Sequence, residues 1–198
     1  DLREAFDILV TQGKAGSVEL RQLASELGQL GGLFQNFGAN TKSGLADLGA
    51  AFQVVQAEFG FSPEQARTGL NSLMTAFLKN EKRIKKVTGV QIYDKRTKEF
   101  KDLIGILDAF KAKGVTQKDL LKALGGEATA ARAGKALLNN LDTLKAIRTE
   151  SMSSNAVAKD FATYQESAAG RIGTAWEQVK NQFLKLLTPE RLEQFSRV

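Results

Sequence analysis

Apolar residues in this chain recur at three- and four-residue intervals along most of its length, and the interval lapses clearly in one place, at "GVQIYDKRTKEF" (89–100). That spacing is the mark of helices that each bury one face. It constrains the chain to a mainly α fold, a multi-helix bundle with one short β-hairpin at about residues 89–101. The clearest helix start lies in "FSPEQARTGLNSLMTAFLKN": Ser62 is placed to cap, Pro63 suits the first helical position, and Gln65 stands three residues after the cap. Leu70, Leu73, Met74 and Phe77 continue it as an apolar stripe.

Other helices follow from the same logic. Leu2, Phe6, Leu9 and Val10 share a face before the "QGKAGS" break, and Ser17 is a candidate cap for a stripe at Leu20, Leu23, Leu27 and Leu30. Phe100, Leu103, Ile104, Leu107 and Phe110 form a stripe that Gly114 ends; Thr116 and Asp119 have capping-box spacing before Leu120, Leu121 and Leu124. "GGEATAARAG" leads into Leu137, Leu138, Leu141, Leu144 and Ile147, after which "TESMSSN" reads as a polar linker. Two units are expected: a helical module with the hairpin over 1–150, and a linker with a C-terminal amphipathic helix over 151–198. In that last helix Ile172, Trp176, Val179, Phe183 and Leu186 are spaced 4, 3, 4, 3. This is the seam of a coiled coil for about two heptads, a candidate self-association surface, and equally the pattern of an ordinary core helix.

The interruption itself alternates: Val90 and Ile92 flank Gln91, and Phe100 brings a second short strand alongside across "DKRTK". A two-stranded hairpin is marginal in water, so this one is expected to lean on its helical neighbours, clipping a basic helix end to the next apolar helix.

Composition closes off much chemistry. With 198 residues, 42% hydrophobic and 25% charged, the chain has the balance of a folded domain. It contains no cysteine and no histidine, which excludes disulfides, thiol nucleophiles, His-dependent triads and the usual zinc sites. No catalytic, cofactor-binding or metal-binding residues are expected. Carboxylate-only glycosidase chemistry is compatible with the composition, but no pair, Glu19 and Glu26 included, stands in a context that marks it as catalytic. The chain starts at Asp1 without a signal-peptide pattern and reads as an internal fragment of a longer protein. Its longest uncharged stretch, 27–41, is 15 residues, short of the roughly 20 needed to span a bilayer.

Two regions invite functional readings. Glycine recurs at 28, 31, 32, 38, 44, 49 and 60 among phenylalanines; the Ala24, Gly28, Gly32 spacing suits close helix approach or latent membrane affinity, and the plainer reading is a tightly packed helical hairpin with glycine at its turns. Charge is concentrated between 79 and 101, where nine basic residues (Lys79, Lys82, Arg83, Lys85, Lys86, Lys95, Arg96, Lys98 and Lys101) oppose three acidic ones. The difference, 9 − 3, equals the net charge of the whole chain, +6. These side chains are candidates for contact with a polyanion or an acidic protein wall, against the alternative of a merely solvated helix end and turn.

In their order these elements resemble the tape measure (tail length) proteins of long-tailed bacteriophages and prophages. "GLADLGAAFQVVQAEFGFSPEQARTGLNSLMTAF" is similar to the family's small/apolar alternation, glycine break and Ser-x-Glu-x-Ala-x-x-Gly-Leu. "GVQIYDKRTKEFKDLIGIL" resembles its Gly-Val-x-apolar-aromatic-Asp hairpin and the Phe-x-Asp-Leu that opens a helix, although "DKRTK" replaces the family's short Asp-x-x-Gly turn. "GVTQKDLLKALGGEATAARAGKALLNNLDTLK" and "SAAGRIGTAWEQVKNQFLKLL" resemble the helices that follow. The resemblance spans roughly 40–187 and implies a structural protein of the virion, in the tail lumen or tip, present in the host cytoplasm during assembly. It implies several parallel copies, a trimer or hexamer, with tail tube and tail tip or baseplate proteins as partners. It implies no small-molecule substrate, and a role in tail assembly, length determination and release ahead of the DNA. The alternative is a membrane-active or DNA-passage segment that meets host membrane or DNA during ejection.

Overall fold

The computed structural model describes residues 7, 8, 10, 11, 20–37, 42–60, 62–94, 96, 97 and 99–153. The seam at Ile172, Trp176, Val179, Phe183 and Leu186 lies outside them, as do Lys95, Lys98, Leu2, Phe6, Leu9 and Glu19. The described chain is mainly α. In order come α1 (Leu20–Phe34), a 3-10 turn (Gln35–Phe37), α2 (Lys42–Phe59), α3 (Pro63–Lys79), α4 (Glu81–Thr88), β1 (Tyr93–Asp94), β2 (Glu99–Phe100), α5 (Leu103–Ala112), α6 (Gln117–Ala123), α7 (Ala128–Asn139) and α8 (Leu141–Ser153).

Local chemistry sets most starts and stops. Ser62 accepts from the Gln65 N–H while the Gln65 side chain accepts from the Ser62 N–H, with Pro63 at the first position of α3. Thr116 and Asp119 close the same reciprocal box at α6. Asp102 caps α5 through the Gly105 N–H. At the end of α5, Gly114 takes φ +63, a left-handed geometry that spares glycine the Cβ clash, and the Val115 N–H reaches back to Phe110 O.

One core joins these helices. α3 packs on α1, α2 and α7; α8 lies along α2; α4 lies along α6. At its centre a file of rings runs from the hairpin inward: Tyr93 to Phe100 (centroids 5.1 Å apart), Phe100 to Phe37 (5.2 Å), Phe37 to Phe77 (6.1 Å) and Phe77 to Phe110 (6.0 Å). These tilted and edge-on arrangements are the favoured ones for aromatic pairs. The file explains how so small a hairpin persists. Its strands are two residues each, paired Tyr93 with Phe100 and Asp94 with Glu99, shorter than the sequence suggests. Val90 and Ile92 are buried ahead of β1 rather than within it, and the Lys101 N–H donates to Ile92 O.

Several expectations change. The glycines at 28, 31 and 32 lie inside α1 and those at 44 and 49 inside α2; of those described only Gly60, at φ +58, stands at a turn between helices, as expected. Gly32 has no atom within 4 Å of where a Cβ would stand, so the Ala24, Gly28, Gly32 spacing makes no close approach there. The close approaches are at Gly69, whose Cβ would meet Ala133 at 3.4 Å, and Gly134, whose Cβ would meet Leu120 and Leu73 at 3.4 Å. The stripe from Leu137 to Ile147 belongs to two helices, because Asn140 divides α7 from α8; α7 begins at Ala128, inside the stretch read as a lead-in. Residues 149–153, expected to be linker, are the last turn of α8, where Ser151 is buried and donates to Ile147 O.

Two ion pairs tie distant helices together. Arg67 on α3 donates to Glu26 on α1 (2.7 Å), and Arg148 on α8 donates to Asp47 on α2 (2.5 Å). Asp47 is 6% exposed and Arg148 37%. Burial pushes the Asp47 carboxyl up to about 6 even though Arg148 pulls it down; Asp102 adds a smaller upward push. On α2 the amide atoms of Gln53 are also buried, with no hydrogen-bond partner for either.

Candidate protein-interaction surface

The basic segment is built around α4, eight residues long and fixed to the core by one side chain, Ile84. Asn80 precedes it and left-handed Gly89 (φ +71) ends it, with the Gly89 N–H donating to Lys85 O. Lys82, Arg83, Lys85 and Lys86 are all exposed, and Val87 beside them is 36% exposed. Lys79 is exposed at the end of α3, Arg96 on the hairpin turn and Lys101 just after β2. The turn itself is held by Asp94, whose carboxylate accepts from the N–H groups of Arg96 and Thr97. None of these cations forms an ion pair among the described residues; Lys85 donates to the amide oxygen of Gln91 (3.2 Å).

The neighbouring helix extends the same character. α6 packs against α4 and exposes Lys118 and Lys122 together with Leu121, at 39% exposure. Beyond it a shallow depression of about 500 Å³ is lined by Thr116, Gln117, Lys118, Leu121, Ala128 and Ala131. Reading the basic run along the chain misses Lys118 and Lys122, because they are 17 and more residues beyond its end. Only the packing of α6 on α4 joins them to it, and the signal in the sequence is no more than a Lys-x-x-x-Lys spacing.

Two acidic side chains nearby, Asp94 and Asp119, are engaged in structure. The Thr116 hydroxyl and backbone N–H donate to Asp119 and hold its carboxyl below the usual carboxylate range. Glu26, one member of the carboxylate pair weighed for hydrolysis, is occupied by Arg67. Among the described residues no group of carboxylates is arranged to hold a metal ion, and no helix is long and apolar enough to cross a membrane. The Gly/Phe-rich stretch contributes Leu27, Leu30, Phe34, Phe37, Phe52 and Val55 to the core.

What fold and surface define together is a helical packing module that presents charge outward. Residues 1–126 match the family model described as phage-related minor tail protein. The chain belongs to that family and is a virion-associated phage tail protein. No curated protein and no solved structure matches it.

Proposed function

We propose that this chain is a module of a tail tape measure protein, acting by binding rather than by catalysis in tail assembly, length determination and release at DNA ejection. The observation that carries the proposal is α4: four cations and Val87 turned outward on a helix anchored by Ile84 alone. Unpaired cations at a helix surface add little to stability of their own fold, so their concentration on one element fits a partner that supplies the opposite charge. That partner is an acidic wall, such as the tail tube or tip would present, met by three or six parallel copies of the module in the tail lumen. The same copies would form in the host cytoplasm during assembly. The Gly/Phe-rich helices place Leu27, Leu30, Phe34, Phe37, Phe52 and Val55 in the core, which supports the protein-contact reading over the membrane-active alternative.

The test is made in the parent gene. Reversing Lys82, Arg83, Lys85 and Lys86 to Glu leaves the module folded, since none has an ion-pair partner to lose. It is expected to give absent or altered tails by electron microscopy. Normal tails with normal DNA delivery would refute the proposal. Normal tails that fail to deliver DNA would move the role from assembly to ejection. Deleting 62–187 in frame separates the contribution of the surface from that of the whole module.

A further inference from the structure

Two helix junctions sixty residues apart are built alike. Ala76-Phe77-Leu78-Lys79-Asn80-Glu81-Lys82-Arg83-Ile84 and Ala136-Leu137-Leu138-Asn139-Asn140-Leu141-Asp142-Thr143-Leu144 share Ala, Leu and Asn at equivalent positions and end on a buried aliphatic residue. Asn80 has φ −115 and ψ 21, and Asn140 φ −113 and ψ 26. Both depart from helical values by roughly 50° or more in each angle, into a sparsely populated region. In each, the backbone N–H still reaches the alanine four residues back, and the residue four ahead still donates to the asparagine carbonyl: Asn80 to Ala76 and Ile84 to Asn80, Asn140 to Ala136 and Leu144 to Asn140. At both places one i to i−4 bond ends on the asparagine and the next begins there, while the helix itself is interrupted at that residue.

The asparagine side chains do not cap the helices that follow. Each Nδ2 turns back to donate to the same i−4 carbonyl at 3.0 Å, and each also reaches a neighbouring element. Asn80 donates to Leu124 O at the end of α6 (3.5 Å) and its Oδ1 stands 3.1 Å from where a Gly125 Cβ would be. Asn140 donates to the Glu58 carboxylate near the end of α2 (2.9 Å). One side chain thus holds each bend to its surroundings.

We propose that Asn80 and Asn140 are matched hinges, and that the chain has a second, extended state in which residues 63–88 and 128–153 each run as one continuous helix. Over the described residues each spans 26 positions, about 39 Å at 1.5 Å per residue. The conversion keeps the backbone hydrogen bonds that already meet at each asparagine. α4 must leave its place beside α6, and α8 its places beside α2 and α5, giving up the Arg148–Asp47, Lys145–Asp108 and Lys111–Asp142 pairs. The hinge geometry stands whatever step of tail assembly or ejection the module serves.

The absence of cysteine lets spin-label pairs be introduced on the full 198-residue chain at exposed positions: Asn71 with Lys86 across the first hinge, and Thr129 with Glu150 across the second. Straight helices would set the Cα atoms about 22 Å and about 31 Å apart; the bent state gives shorter distances. Asn80→Ala and Asn140→Ala remove the clamps and favour helix through the junction. The isosteric Asn80→Asp and Asn140→Asp remove the Nδ2 donor without changing volume, and the latter also sets a carboxylate against Glu58. Pulsed electron resonance is expected to show the long distance gaining about tenfold in population in each variant, the effect of losing a hydrogen bond or two, with helical circular dichroism retained. Folded variants that keep the wild-type distances at both hinges would overturn the proposal, showing that packing alone fixes the bends. Should an Ala variant unfold, its Asp isostere gives the same reading, and loss of helicity in both would also overturn it, since straightening preserves helix.

Discussion

Replacing Arg148 by Met tests whether the Asp47 pair is held by charge. In the folded chain the Asp47 carboxyl titrates at about 6, against 3.8 for the unexceptional group. A native carboxyl that holds its proton more tightly than the unfolded one makes its fullest contribution to stability below pH 3.8. That contribution falls as pH rises through about 6. At 1.36 kcal/mol per tenfold change, ionised Asp47 costs the fold about 3 kcal/mol at neutral pH even with Arg148 in place. Removing Arg148 takes away the one guanidinium that offsets this burial. The carboxyl then titrates higher still, and the variant loses about 2–3 kcal/mol at pH 7.5, at the low end for a broken buried pair because Arg148 is 37% exposed. For a chain of this size that lowers the melting temperature by about 5–10 °C. Near pH 5 Asp47 is largely protonated in either protein, so the loss shrinks to below about 1 kcal/mol. Thermal melts of both proteins at pH 5 and 7.5, with Asp47→Asn added to Arg148→Met, give the answer. Rescue by Asn at pH 7.5 is expected. An equal loss at both pH values, unrelieved by Asn, would refute the reasoning and assign the effect to the packing of the arginine stem.

Four more substitutions follow from the packing. Phe77→Ala removes the ring between Phe37 and Phe110 and is expected to cost about 3–5 kcal/mol by denaturant titration; less than 1 would mean the file of rings collapses around the gap. Gly134→Val drives a branched side chain against Leu120 and Leu73, both at 3.4 Å from the first added carbon, and is expected to destabilise by about 1–3 kcal/mol, whereas Gly32→Ala on α1 faces open space and stabilises slightly. Gln53→Met replaces a buried amide without a partner by an apolar chain of similar length; urea midpoints are expected to rise, by about 1 kcal/mol in stability, and a fall would show that the amide is satisfied in solution.

The sequence made the capped helix starts legible because a cap is a contact between residues three apart: Ser62 with Gln65 and Thr116 with Asp119 can be read without knowing what either helix packs on. The hairpin was legible as a lapse in helical spacing, but not its two-residue length, since Val90 and Ile92 alternate as strand residues and are buried by helices instead. The candidate surface was half legible. Lys79 to Lys101 stand together in the sequence, whereas Lys118, Lys122 and Leu121 join them through the packing of α6 on α4. Lys95, Lys98 and the C-terminal seam lie outside the described residues.

By itself, then, the sequence determined the mainly α class, the places where helices start and the local excess of positive charge, all of which depend on near neighbours and on period. Tertiary structure decided the rest. Asn80 and Asn140 mark bends that nothing local in the sequence announces, and their side chains reach Leu124 and Glu58 only across the fold. Gly69 and Gly134 look no different from Gly32 until another helix is seen against them. Asp47 and Arg148, 101 residues apart, meet because α2 and α8 must lie together to bury their apolar faces; that burial raises the Asp47 carboxyl to about 6, and Arg148 only partly offsets it.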